Sequence, residues 1–169
     1  MTTNGAVPVI RQAGEGERFW FAGGGIWTMK ASAAETGGAF TLFEDNMVRG
    51  KATPLHLHPN EDETFYVLEG ELRVHIDGEE HAIGAQGTAV VPRGVPHAFL
   101  VTSNTARVLC VQTPGTGEGF YREVSEPATD ADAGRPADFG RLREAAGRHA
   151  SIELLGPPPF ELPATGPAV

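Results

Sequence analysis

Glycine and proline punctuate this chain so densely that little except short strands fits between them: 22 Gly and 13 Pro are spread through 169 residues. Gly supplies turn conformations that other residues resist, and Pro interrupts helices and central ladders. The pattern therefore predicts an all-β fold with many turns. Segments reading as strands are Ile26–Ala31, Ala39–Asp45, Lys51–His58, Glu63–Leu68, Glu71–Ile76, Glu79–Ile83, Thr88–Val91, Ala98–Val101 and Arg107–Thr113. Their number and spacing predict a sandwich or jelly-roll barrel rather than a parallel sheet. Asp77-Gly78 is a strong hairpin signal, and Glu69-Gly70 reads as a second two-residue loop. In that second hairpin Val67 faces Leu72, Phe65 faces Val74 and Glu63 faces Ile76. All six then point into the core, where a carboxylate is tolerable only if paired or bound to a metal. Arg73 and His75 point outward in the same register, which makes His75 a surface residue and excludes it as a ligand.

The character changes after Thr113. Residues 114–119 read as a flexible connection, Phe120–Val124 as amphipathic, and Ser125–Gly134 as an acidic loop. Asp138 is placed to cap a helix over Phe139–His149, with Phe139, Leu142 and Ala146 on one stripe. Gly156-Pro157-Pro158-Pro159 stops regular structure and opens a Pro-rich tail. The expected division is an N-terminal arm over 1–25, a β-barrel domain over 26–124, and a C-terminal loop, helix and tail over 125–169. The last of these is expected to lid the barrel mouth. There are no internal repeats.

Thirteen Lys and Arg against 22 Asp and Glu give a net charge of −9, which argues against nucleic-acid or anionic-membrane partners. No apolar run approaches the roughly 20 residues of a membrane span, and the N-terminus is not read as a secretion signal. The single cysteine, Cys110, lies in an apolar run and reads as a buried, inert thiol. A cytoplasmic location is expected.

Chemistry concentrates in two segments. In Gly50–Gly70, His56 and His58 are two apart, so an extended strand points both the same way. Glu63 follows just past the turn-like Pro59-Asn60-Glu61-Asp62. In Pro92-Arg93-Gly94-Val95-Pro96-His97 a third imidazole, His97, comes from a later strand. Three imidazoles and one carboxylate suit a divalent metal with coordination positions left open, and open positions permit chemistry. His81 and His149 are read as lying outside this site.

These two segments resemble the signature motifs of the cupin superfamily. Gly50-x5-His56-x-His58-x4-Glu63-x6-Gly70 fits the first motif at every position. The second, Gly87-x4-Pro92-x-Gly94-x2-His97, is one residue short between Gly87 and Pro92, and Val101 stands where the pattern usually has Asn. The stretches Phe21–Ala31, Glu35–Phe40, Glu63–Gly70 and Gly119–Val124 further resemble single-domain, quercetin 2,3-dioxygenase-like cupins. That resemblance implies a jelly-roll barrel, a homodimer, and one divalent transition metal ion (Ni, Mn, Fe, Co, Cu or Zn) held by His56, His58, Glu63 and His97. It also implies a small aromatic substrate and oxidative cleavage of a flavonol ring with release of carbon monoxide. On that reading Glu63 is the general base, and Phe65, Val67, Val74, Ile76 and Phe99 wall the substrate pocket, joined by Trp20, Phe21 and Trp27. Two other readings keep the same barrel: a metal-dependent isomerase, cyclase or decarboxylase of a biosynthetic pathway, and a non-catalytic small-ligand-binding cupin.

Overall fold

The computed structural model describes residues 5–161. In chain order the strands are β1 (Arg18–Phe21), β2 (Ile26–Ala31), β3 (Thr41–Val48), β4 (Leu55–Leu57), β5 (Asp62–Glu69), β6 (Glu71–Ile76), β7 (Glu79–Gly84), β8 (Thr88–Val91), β9 (His97–Val101) and β10 (Thr105–Thr113). Helix α1 (Glu118–Glu123), β11 (Ser125–Pro127), helix α2 (Phe139–Ala146) and β12 (Glu153–Gly156) follow, with single 3₁₀ turns at Gly115–Gly117 and Asp130–Asp132. Two antiparallel sheets face each other as a jelly roll. One runs β11-β1-β2-β3-β10-β5-β8 and the other β12-β4-β9-β6-β7.

The core lies between the sheets, because β3, β5, β6 and β10 each alternate buried and less buried residues. Trp27, Met29, Phe43, Phe65, Val67, Leu72, Val74, Phe99, Val108 and Cys110 form one apolar cluster. A second cluster gathers Trp20, Phe120, Val124, Leu142 and Ala145, packing α1 and α2 against β1.

The Asp77-Gly78 hairpin forms as expected, with Ile76 opposite Glu79 and both turn residues at positive φ. Glu69-Gly70 corrects the expected register: β5 and β6 do not pair. The backbone of β5 is shared between β10 and β8, and that of β6 between β7 and β9. The chain crosses from one sheet to the other at Gly70, whose φ is +83° and where a Cβ would sit 2.3 Å from the Thr105 carbonyl oxygen. Side-chain parity survives the crossing, so Glu63, Phe65, Val67, Leu72 and Val74 still point inward.

Three short strands are absent from the sequence reading: β1 and the edge strands β11 and β12. β1 pairs β11 and β2, and β12 pairs β4. The expected strand Lys51–His58 is shorter, because Pro54 has no N–H to give a ladder; only an isolated Ala52–Leu100 bridge precedes β4. The acidic loop 125–134 contains β11 and a 3₁₀ turn. Helix α2 begins where expected, with Asp138 accepting from the Arg141 N–H, but ends at Ala146, so His149 lies beyond it and contacts Glu123 at 2.6 Å. Its buried stripe is Leu142 and Ala145, while Phe139 is exposed. His75 is half-buried rather than on the open surface, because Phe160 lies edge-on to its ring at 6.4 Å. The remaining Pro-rich tail, residues 162–169, lies outside the described residues. No described helix is long and apolar enough to cross a membrane.

Candidate metal centre and its cavity

His56 sits on β4 directly opposite His97 on β9. His58 lies just past β4, and Glu63 near the start of β5 enters from the facing sheet. A turn at Pro92–Val95 aims His97: Gly94, at φ +77°, donates its N–H to the His58 carbonyl at 2.8 Å. The sequence motifs are thus stitched together by backbone. One ligand atom from each of His56, His58, Glu63 and His97 falls within 4.8 Å of all the others, and all four residues are buried.

Each imidazole is oriented the same way. Nδ1 donates to a backbone carbonyl: His56 to Pro54 at 2.8 Å, His58 to Ser151 at 2.7 Å and His97 to Val95 at 3.0 Å. Fixing the proton on Nδ1 leaves the Nε2 lone pairs to face the centre, the arrangement metal-binding histidines adopt. Glu63 Oε2 lies 2.9 Å from His97 Nε2 and 3.6 Å from His58 Nε2. Its other oxygen, Oε1, accepts from Cys110 Sγ at 3.2 Å, Gln112 Nε2 at 3.1 Å and Tyr121 OH at 3.4 Å.

Charge follows from burial and proximity. Burial pulls His56 down to about 3, aided by His97 and His58, so it is neutral and free to act as a ligand. Burial alone would push Glu63 up, but His58 and His97 hold it well below the usual carboxylate range. Burial would likewise depress His58, yet Glu63 raises it on balance. Cys110 and Tyr121 are both driven well above their ordinary values, first by burial and then by Glu63. They remain a thiol and a phenol, able to donate.

The donor set fits a divalent transition metal. His58 Nε2 is buried with no hydrogen-bond partner among the described residues, a costly state unless something accepts its lone pair. Three imidazole nitrogens and one carboxylate, all buried, suit one such ion.

A cavity of about 60 Å³ opens beside His56 and Glu63, walled by Trp27, Phe43, Phe65, Phe99 and Tyr121. Of the residues expected as substrate wall, Phe65 and Phe99 line it. Val67 and Val74 lie in the closed core and Ile76 packs at its margin. Phe21 and Trp27 line it too, whereas Trp20 belongs to the second cluster. Leu142, Ile152 and Leu154 reach it from the C-terminal segment.

Sequence reasoning missed Gln112 and Tyr121 and treated Cys110 as inert. The motif Gly119–Val124 contained Tyr121, but nothing local to it points to Glu63, 58 residues away.

Comparison with known proteins agrees with this geometry. Residues 44–112 match the Cupin domain family. The chain is 30% identical over 144 residues to quercetin 2,3-dioxygenase of Bacillus subtilis, covering 83% of this chain and 42% of that protein. It is 33% identical over 128 residues to the oxidoreductase iacF of Pestalotiopsis fici, covering 72% of this chain and 57% of that one. The chain therefore spans about half the length of these relatives. An RmlC-like cupin from Shewanella frigidimarina superposes with a TM-score of 0.59 at 18% identity, over 68% of this chain and 98% of its own. A predicted oxalate decarboxylase from Thermotoga maritima gives 0.54 at 25% identity, over 63% and 99%. From its matched segment, its two-sheet jelly roll and its buried ligand cluster, this chain belongs to the cupin superfamily.

Proposed function

We propose that this protein is a metal-dependent dioxygenase that cleaves a flavonol or a related enolisable aromatic substrate. The observation that carries the reading is the convergence of three Nε2 atoms and the Glu63 carboxylate at one end of an aromatic-walled cavity. The 30% identity to a quercetin 2,3-dioxygenase supports the choice of substrate class. His56, His58 and His97 through Nε2, and Glu63 through Oε2, would hold one divalent metal ion, which supplies a Lewis acid for the substrate hydroxyl and a partner for dioxygen.

Each of the chain's own groups then has a defined task. Glu63 Oε2, the oxygen free of Cys110, Gln112 and Tyr121, would serve as ligand before substrate binds and, once released from that role, take the substrate's hydroxyl proton. Those three donors anchor Oε1, so the carboxylate presents one oxygen in one orientation. Phe65, Phe99, Phe43 and Trp27 hold a flat ring system, and Phe120, Tyr121 and Leu142 exclude water above it. Phe120 and Tyr121 of α1 and Leu142 of α2 line the cavity, so a shift of the α1–α2 cap would widen it for a flat ring system and the C-terminal segment would act as a lid.

The test is dioxygen uptake with quercetin by protein loaded separately with Ni, Mn, Fe, Co, Cu and Zn. Uptake with at least one metal, with carbon monoxide released, is the expected result. No uptake with any of them overturns the dioxygenase reading.

A further inference from the structure

The cavity that His56 and Glu63 line also holds a buried ion pair that the mechanism above does not use. Lys51 Nζ donates to Asp45 Oδ2 at 2.7 Å, with both side chains largely shielded from solvent. Lys51 Nζ sits 5.4 Å from the Phe99 ring centre and 5.6 Å from that of Phe21, and all four residues line the cavity.

Neither partner is saturated. Asp45 Oδ1 is buried with no hydrogen-bond partner among the described residues. An ammonium offers three donors, and Lys51 makes one hydrogen bond among the described residues. Gly25 contributes the space: a Cβ there would lie 3.1 Å from Asp45 Oδ1 and 3.2 Å from Lys51 Nζ.

The register sets the distance. Glu63 pairs with Gln112 on β10 and Asp45 pairs with Val108. Four residues of strand therefore separate the two levels, roughly 13 Å at 3.3 Å per residue.

We propose that Asp45 and Lys51 form a second polar anchor of the substrate site, which selects an aromatic substrate bearing a hydroxyl on the ring remote from the metal centre. A hydroxyl both donates, to Asp45 Oδ1, and accepts, from Lys51 Nζ. A carboxylate at that point is repelled by Asp45, and a carbonyl or ether leaves Asp45 unsatisfied. The separation of backbone levels favours a substrate of more than one ring, one ring near the metal centre and another near Asp45 and Lys51. The inference rests on the reading that the cavity takes an aromatic substrate, and it names which substitution pattern the cavity prefers.

The experiment is ligand binding to metal-loaded protein under argon, followed by quenching of tryptophan fluorescence. The ligands are 3-hydroxyflavone, its 7-hydroxy and 4′-hydroxy derivatives, and the matching methyl ethers. At least one hydroxylated ligand is expected to bind about tenfold or more tighter than 3-hydroxyflavone, in line with a hydrogen bond to a charged group, and its methyl ether to lose that gain. In the double variant Asp45→Leu/Lys51→Met, which leaves no unpaired buried charge, the ratio is expected to fall to about one.

Equal affinities in the wild-type protein overturn the proposal without any variant. So does a ratio that survives the double substitution, or a failure of every ligand to bind. Dioxygen uptake is measured separately: a selective hydroxyl preference without uptake removes the dioxygenase reading and leaves this anchor standing.

Discussion

Glu63 carries the chemistry because its two oxygens are treated differently. Oε2 faces two imidazoles, while Oε1 is held by Cys110, Gln112 and Tyr121. Glu63→Gln preserves the size and the Oε1 contacts but cannot take a proton. It is expected to retain more metal than His56→Ala, His58→Ala or His97→Ala and to lose turnover, as read by metal analysis alongside dioxygen uptake; a fully active variant would remove Glu63 as the base. Gln112→Leu removes a donor to the same carboxylate and is expected to weaken metal affinity by about 10–100-fold, measured by competition with a chelator. Unchanged affinity would show that the hydrogen bond to Oε1 does not orient the ligand. The four clustered side chains were legible in the sequence because alternation on a strand is local: His56 and His58 must share a face. Gln112 and Tyr121 were not legible, because their role depends on β10 lying beside β5 and on α1 folding back over both.

At the scale of elements, the C-terminal segment is a clasp on the metal-bearing strands. β12 pairs with β4 next to His56, and the Ser151 carbonyl orients His58. A chain ended after Gly147 is expected to bind metal about 10–100-fold more weakly, although it keeps all four clustered side chains; affinity equal to that of the full chain, again by chelator competition, contradicts the clasp. Such connections are the hardest part of the fold to read in advance. β1, β11 and β12 are strands of three or four residues, too short for alternation to distinguish from loop. Glu69-Gly70 was legible as a turn and misread as a hairpin, since turn chemistry says where a chain bends and not which sheet it enters. Asp77-Gly78 was read correctly, because its continuation β7 has no competing partner beyond β6.

The whole molecule is held by a core between two sheets and by ion pairs that tie its arms to it. Leu72 is fully buried in that core, and Leu72→Ala is expected to destabilise the fold by about 2–5 kcal/mol, as measured by chemical denaturation. On the outside, Arg11 binds Glu35 at 2.7 Å and, together with the Ser32 backbone, holds that carboxyl at about 2. A depressed carboxyl contributes stability above its ordinary value of 4.5 and loses it as the pH falls through the folded value. Glu35→Gln in metal-free protein should therefore melt lower than wild type at neutral pH, by no more than about 1 kcal/mol for so accessible a pair. The gap should close between pH 4.5 and about 2; a gap independent of pH would mean that the ion pair is not its cause. The central claim is that this fold gathers His56, His58, Glu63 and His97 around a single cation. Metal analysis of purified protein, stripped with chelator and reloaded, tests it most directly: one divalent ion per chain in the wild type and a marked loss in His58→Ala is the expected result, and equal metal content in both proteins, or none in either, would contradict it.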